Sequence, residues 1–207
     1  MPRGSATLTQ ARREEIIAAC AKLYESMSFR EITLKEIARE TSFTRPSIYN
    51  YFTTKEEIFL ALLRKEYEQW VRELHTMSRA AEPGNAEAFA EGLARTLEQR
   101  VRLLKLMTMN TYDMEANSRP EQLAEMKTAY GQALRAVDEC LAAFFPQKTA
   151  EQRERFVYAF FPFVYGLYPY TMVSDKQRAA MKAAGVPFRY HSIYELARTC
   201  ILTLLRP

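Results

Sequence analysis

The residues best suited to chemistry are Thr44, Arg45, Ser47, Tyr49, Asn50 and Lys55, crowded into one short stretch of the chain. Hydroxyl, guanidinium and amide groups at these spacings do not make a nucleophile with its base. They do make a set of hydrogen-bonding groups that suits the edges of base pairs. Arginine can bond guanine through two N–H groups, asparagine can do the same to adenine, and hydroxyls reach phosphate or base. To act together they must be presented by a helix, and the flanking residues predict one. Thr33 with Glu36 is a capping box that starts a helix at about Leu34. Leu34, Ile37, Ala38 and Thr41 recur at three- and four-residue spacing and mark its buried face. Thr41, Ser42 and Phe43 then break the pattern. Thr44 is placed to cap a second helix over about 45–51, with Pro46 in its first turn, where a missing N–H leaves no carbonyl unpaired. Ile48 and Phe52 face inward there, leaving the polar set outside. Thr54 with Glu57 opens a third helix and puts Lys55 at its positive end, where its charge and the helix dipole together face a phosphate.

Phe29-Arg30-Glu31-Ile32-Thr33-Leu34-Lys35-Glu36-Ile37-Ala38, continuing through Ser47-Ile48-Tyr49-Asn50-Tyr51-Phe52 to Lys55-Glu56-Glu57-Ile58, resembles the DNA-binding domain of TetR-type transcriptional regulators. The resemblance preserves spacing across three helices and covers roughly the first quarter of the chain. It implies that the short helix reads an operator, that Tyr49 and Asn50 touch phosphates, and that Lys55 grips the backbone. It also implies Thr33 as a phosphate contact. Two departures stand out. The turn usually carries Gly where this chain has Ser42, and the small residue after the basic position is here Pro46, which stiffens the helix start and bears on which base Arg45 reaches.

Composition agrees with a globular helical protein. Of 207 residues 48% are hydrophobic, 26% are charged and only 6 are Gly. Residues 1–55 hold nine Lys or Arg against six Asp or Glu, which places three of the four net positive charges in the first quarter. Cys20, Cys140 and Cys200 are scattered and odd in number, so no disulfide framework is expected, and a reducing cytoplasm fits, which the resemblance implies is bacterial. His75 and His191 stand alone, and neither a metal site nor a cofactor motif is expected. The first residues carry no apolar leader segment. The uncharged run Phe156–Ser174 is interrupted by Pro162, Gly166 and Pro169 and reads as a buried helix rather than a membrane span. An enzyme is disfavoured, because no nucleophile and base, phosphate-cradling loop or metal set is spaced for work.

Apolar periodicity continues helix by helix, with no strand alternation, so the fold class is all-α. The helix over about 9–26 completes a small three-helix head, and Arg3, Arg12 and Arg13 at its start could reach phosphates or the minor groove. A long linking helix over about 55–78 buries Ile58, Leu62, Leu63, Tyr67, Trp70, Val71 and Leu74, and alone belongs to both halves. Glu82-Pro83-Gly84-Asn85 is a break. Helices follow over about 86–110, from a Ser118–Glu121 capping box to about 145, from Thr149 to about 173, over 175–184 and from Ser192 to about 204, with 113–117 a polar connection. The division is therefore 1–55, a helix-turn-helix DNA-binding domain, and 56–207, a helical effector-binding and dimerisation domain.

The helix after Thr149 is apolar nearly all round and needs partners on both sides. With the last helix it is expected to form a twofold four-helix interface, with Phe161, Tyr165, Tyr168, Leu196, Cys200 and Leu204 as the dimer residues. The resemblance implies the same pair of helices for the dimer, and also an effector pocket in the body. Candidates for that pocket are Trp70, Met107, Asn110, Tyr112, Phe160 and Phe163, which would favour a lipophilic or aromatic ligand. The expected function is a homodimeric repressor of a palindromic operator, released by such a ligand. The alternative is a helical partner- or lipid-binding module whose head no longer reads DNA.

Overall fold

The computed structural model describes the backbone of residues 3–109 and 111–206. Among these residues eleven helices and no strand form, in the order α1 (Arg3–Ser26), α2 (Leu34–Arg39), α3 (Arg45–Ile48), α4 (Lys55–Arg79), α5 (Ala86–Glu98), α6 (Val101–Met107), α7 (Thr111–Ala116), α8 (Pro120–Phe144), α9 (Ala150–Thr171), α10 (Asp175–Ala183) and α11 (Ile193–Leu205). The chain divides into two compact units, one of residues 1–65 with 110–130 and the other of residues 66–109 with 131–207. Both α4 and α8 therefore run through the division, where the apolar pattern assigned this role to α4 alone. The first unit also takes in residues 110–130, which a boundary at residue 55 would give to the body.

The first unit is built on a small apolar core. Ile16, Ile17, Cys20 and Tyr24 of α1 are buried with Ile32, Ile37, Ile48, Phe52, Ile58 and Phe59. Phe59 meets Tyr24 and Phe29 edge-on, with ring centroids 5.2 and 4.8 Å apart. Residues 113–117, expected as a polar connection, lie largely within α7, because Met114 has an apolar place to go and is buried. The Ser118–Glu121 capping box does not form. The Ser118 hydroxyl is buried without a partner, and the amide next to it, that of Arg119, is taken by Glu57 instead.

In the second unit Phe89 is enclosed by Phe144, Phe145 and Phe156, all edge-on within 6 Å. Trp70 is buried against Phe161 and donates its indole N–H to Thr96 Oγ1 at 3.0 Å, so its one polar group is satisfied. Gly84 adopts φ +83°, a conformation that other residues rarely take, and its N–H donates to the Phe144 carbonyl at 2.7 Å. The single helix expected over 86–110 is broken into α5 and α6. At the break Arg100 leaves helical geometry and its guanidinium bonds Glu73, Gln69 and Glu66, with Glu66 itself buried and also held by Arg102 at 2.7 Å. Apolar spacing carries through this point, but it does not register that two carboxylates compete for the arginine. The capping boxes at Thr149–Gln152 and Ser192–Glu195 are complete and start α9 and α11 as expected. The apolar run 156–174 lies mostly in α9, and no single helix among the described residues is long and apolar enough to cross a membrane.

Candidate nucleic-acid interface

The polar set of the first unit is positioned by what lies beneath it. Ile48 and Phe52 are fully buried, which turns Thr44, Arg45, Pro46, Tyr49 and Asn50 outward and leaves Ser47 half-buried. The α-helical part of this segment, Arg45–Ile48, is shorter than expected, and a bonded turn carries it on to Phe52, whose N–H donates to the Ile48 carbonyl at 3.0 Å. Thr44 stands at the N-cap but does not cap through its side chain; its hydroxyl meets that of Ser47 at 3.2 Å. Arg45 Nη2 donates to Tyr49 Oη at 3.1 Å, with the guanidinium 5.9 Å from the tyrosine ring centroid.

Thr33 caps α2 through its hydroxyl, which accepts from the amides of Lys35 and Glu36, while the Glu36 carboxylate turns to the Thr33 hydroxyl itself. The turn between α2 and α3 needs no glycine, since no described non-glycine residue has a positive φ. Ser42 is held there by Glu15 of α1, which accepts from both its amide and its hydroxyl.

Lys55 is committed inside the protein more deeply than its position in the sequence implies. Its ammonium donates to the Phe29 carbonyl at 2.8 Å and the Ile32 carbonyl at 3.2 Å and lies 4.2 Å from the Phe29 ring centroid. Two of its three N–H groups are thus used to tie the loop before α2 to the start of α4. Cys20 lies close enough to feel this charge, but burial dominates and pushes the thiol up to about 12.

Two arginines expected to be free for phosphate are also engaged. Arg12 donates to Tyr51 Oη at 3.3 Å. Arg13 donates to the Tyr51 carbonyl and to Gln122, and its guanidinium sits 4.7 Å from the Phe52 ring centroid. The Arg3 side chain lies outside the described residues.

A pairing without any local signature completes the unit. Glu57 is fully buried, and its carboxylate accepts from the Thr53 amide at 2.8 Å, the Arg119 amide at 3.1 Å and the Arg119 guanidinium at 2.7 and 2.9 Å. Burial alone would raise its pKa, but the bonds from Arg119 and Thr53 outweigh that and hold it below the usual carboxylate range. Thr54 adds a bond to the Asn117 carbonyl at 2.8 Å. The Thr54–Glu57 capping box is half-formed: Thr54 accepts from the Glu57 amide, but Glu57 reaches back to Thr53. No position-by-position spacing relates Glu57 to Arg119, 62 residues away.

The expected body sites are rearranged. Trp70, Met107 and Phe160 are buried in the interior of the second unit. Asn110 lies outside the described residues, and Tyr112 is 82% exposed in the first unit rather than lining a pocket. Phe163 instead lines an apolar hollow of about 350 Å3 on α9 and α11, with Pro162, Gly166, Leu167, Tyr170 and Leu196. Phe161 cannot be a surface dimer residue, since it is only 2% exposed and packs on Trp70. The i, i+4 row one position further, Tyr158, Pro162, Gly166 and Tyr170, is the outward one. Tyr165 and Tyr168 are half-buried, the former with its hydroxyl 3.4 Å from that of Tyr67, while Leu196, Cys200 and Leu204 are half-buried in one stripe of α11.

A three-helix head with a short exposed helix in front of a longer one is the arrangement of helix-turn-helix DNA-binding proteins. Residues 16–62 match the family of bacterial regulatory proteins of tetR type, and residues 64–202 match the tetracyclin repressor-like C-terminal domain. The chain belongs to the TetR family of DNA-binding transcriptional regulators. The helix-turn-helix transcriptional regulator HbdR of Aromatoleum sp. is 31% identical over 67 residues, which is 32% of this chain and 29% of that protein. The chain thus matches under a third of the length of that relative. Among solved structures, the fatty acid degradation regulator FadR from Bacillus halodurans superposes with a TM-score of 0.61 at 15% identity, covering 94% of each chain. FadR from Bacillus subtilis, solved in complex with stearoyl-CoA, gives 0.58 at 14% identity, covering 93% of this chain and 97% of its own.

Proposed function

We propose that this regulator binds a palindromic operator as a homodimer in the bacterial cytoplasm, represses transcription there, and is released by a lipophilic or aromatic small molecule. The observation that carries the DNA reading is the exposed row Thr44, Arg45, Tyr49 and Asn50 over the buried Ile48 and Phe52. In this reading Arg45 and Asn50 meet base edges, Thr33, Thr44, Ser47 and Tyr49 meet phosphate, Pro46 sets the start of the reading helix, and Lys55 spends its remaining N–H on the backbone. Residues 1–55 form the DNA-binding part and 56–207 the dimerising and effector-binding part.

One such helix contacts too few base pairs to find an operator, and two heads a helical turn apart read a palindrome. The dimer face is the outward side of α9 with the α11 stripe: Tyr158, Pro162, Phe163, Gly166, Tyr170, Leu196, Cys200 and Leu204. Tyr158 and Tyr170 are 67% and 62% exposed there, and Tyr170 lines the apolar hollow, which is the condition of a face awaiting a partner. For the effector, the support is the buried aromatic side chains of the second unit, Trp70 and Phe160 among them, and the stearoyl-CoA held by a protein of the same fold.

The test is fluorescence anisotropy on the DNA upstream of the protein's own gene against a scrambled duplex, over a salt series. Tight, sequence-preferring binding that weakens steeply with salt is expected. Equal weak binding to both duplexes, followed by no enriched sequence in a selection from random DNA, would defeat the reading. Addition of stearoyl-CoA or simple aromatic acids to the bound complex then asks for DNA release, with quenching of Trp70, the sole tryptophan, as a second readout.

A further inference from the structure

We propose that Tyr49 is a specificity-determining residue acting through Arg45: its hydroxyl holds the guanidinium at the angle from which it reads a base, and refers that angle to the DNA backbone. The inference rests on the reading of Arg45 as a base contact.

The two residues stand one turn apart, at i and i+4, and their side chains meet without help from any other part of the chain. Arg45 Nη2 donates to Tyr49 Oη at 3.1 Å and the guanidinium lies 5.9 Å from the ring centroid. Both residues are exposed, Tyr49 by 49%, so the pair is formed on the face that would meet DNA rather than buried as a fold element. The hydroxyls of Thr44 and Ser47 beside them in sequence are bonded to each other at 3.2 Å.

The chemistry of the pair leaves both partners able to work. A guanidinium has five N–H donors in one plane, and the tyrosine uses one, so a free edge remains for a guanine. The phenol accepts from Arg45, and its own O–H is still free to donate to a phosphate oxygen. Tyrosine has only two side-chain rotations, whereas an exposed arginine samples many rotamers. Fixing the arginine before contact removes part of the entropy cost that otherwise blunts discrimination between bases. Tyr49 thus contributes to sequence choice without touching a base.

The experiment is selection from a random duplex library, with affinities measured on the resulting operator and its single-base variants, for the native protein, Tyr49→Phe, Arg45→Ala and the double variant. Tyr49→Phe keeps the ring and removes only the hydroxyl of a half-exposed residue, so the fold stays. Expected is a roughly two- to tenfold loss of discrimination at the one position per half-site that Arg45→Ala also flattens, with no further loss at that position in the double variant. A Tyr49→Phe protein that weakens on all sequences alike, with every base preference intact, would show the hydroxyl to be a phosphate contact only and overturn the proposal. If Arg45→Ala leaves every preference intact, the base-reading role of Arg45 fails first and the proposal falls with it.

Discussion

At the scale of single residues, the head uses its charges in two different ways. Arg45 is exposed and its bonds are local, so Arg45→Ala is expected to leave the fold intact and to cost about 1 to 3 kcal/mol of discrimination at one position per half-site. Lys55 has most of its hydrogen-bonding capacity turned inward, onto the Phe29 and Ile32 carbonyls. Lys55→Ala should therefore lower thermal stability, by about 1 to 2 kcal/mol, and weaken every DNA sequence alike while flattening the salt slope. Chemical denaturation beside the anisotropy series separates the two effects. A Lys55→Ala protein as stable as the native one would mean that the ammonium is dispensable to the loop it bonds.

At the scale of elements, the Glu57–Arg119 pair joins the first turn of α4 to the residue before α8. The two ends are not equivalent, because Glu57 is fully buried while the Arg119 side chain is about half exposed. Arg119→Met strands a buried carboxylate and should destabilise the first unit by about 3 kcal/mol, more than Glu57→Gln, which leaves an arginine free to find water. The pH dependence follows from the depressed pKa of Glu57. The carboxylate's contribution is complete above the unfolded-state value of about 4.3 and is lost as pH falls through the lower folded value. Thermal unfolding compared between native and Glu57→Gln proteins should show a difference that is constant above pH 5 and shrinks on acidification below pH 4; a constant difference down to pH 2 would contradict it. The outer side of α9 offers a cleaner test of assembly. A side chain added at Gly166 meets nothing within 4 Å in the single chain, whereas Phe161 is locked against Trp70. Gly166→Arg should give stable monomers that lose operator affinity, while Phe161→Glu should unfold the body. Light scattering with circular dichroism distinguishes them, and a dimeric Gly166→Arg protein would place the interface elsewhere.

At the scale of the whole molecule, the proposed pairing through α9 and α11 would make stability depend on the protein's own concentration. Its unfolding temperature should rise with protein concentration, and the rise should vanish in the Gly166→Arg protein. α10 bears on the same point. It is a nine-residue helix closed at both ends, by Ser174 and by Gly185 at φ +65°, yet it buries none of its residues. Helices of that length are marginal alone, and in one chain this one has its caps and the Arg178 guanidinium 4.3 Å from the Tyr190 ring centroid.

What was legible from residue order was whatever depends on near neighbours. Caps, turns and the 3.6-residue period are written within a few positions, so the all-α class, the starts of α2, α9 and α11, and the outward set on α3 could be read directly. The break at Arg100, the engagement of Lys55, Arg12 and Arg13, and the Glu57–Arg119 pair were decided by tertiary structure, because each joins groups far apart in sequence whose pairing has no period. The reversal at Phe161 has the same origin. A helix apolar nearly all round carries little in its pattern to tell its inner row from its outer one, and the packing of α9 on Trp70 and Phe89 chose which row was buried.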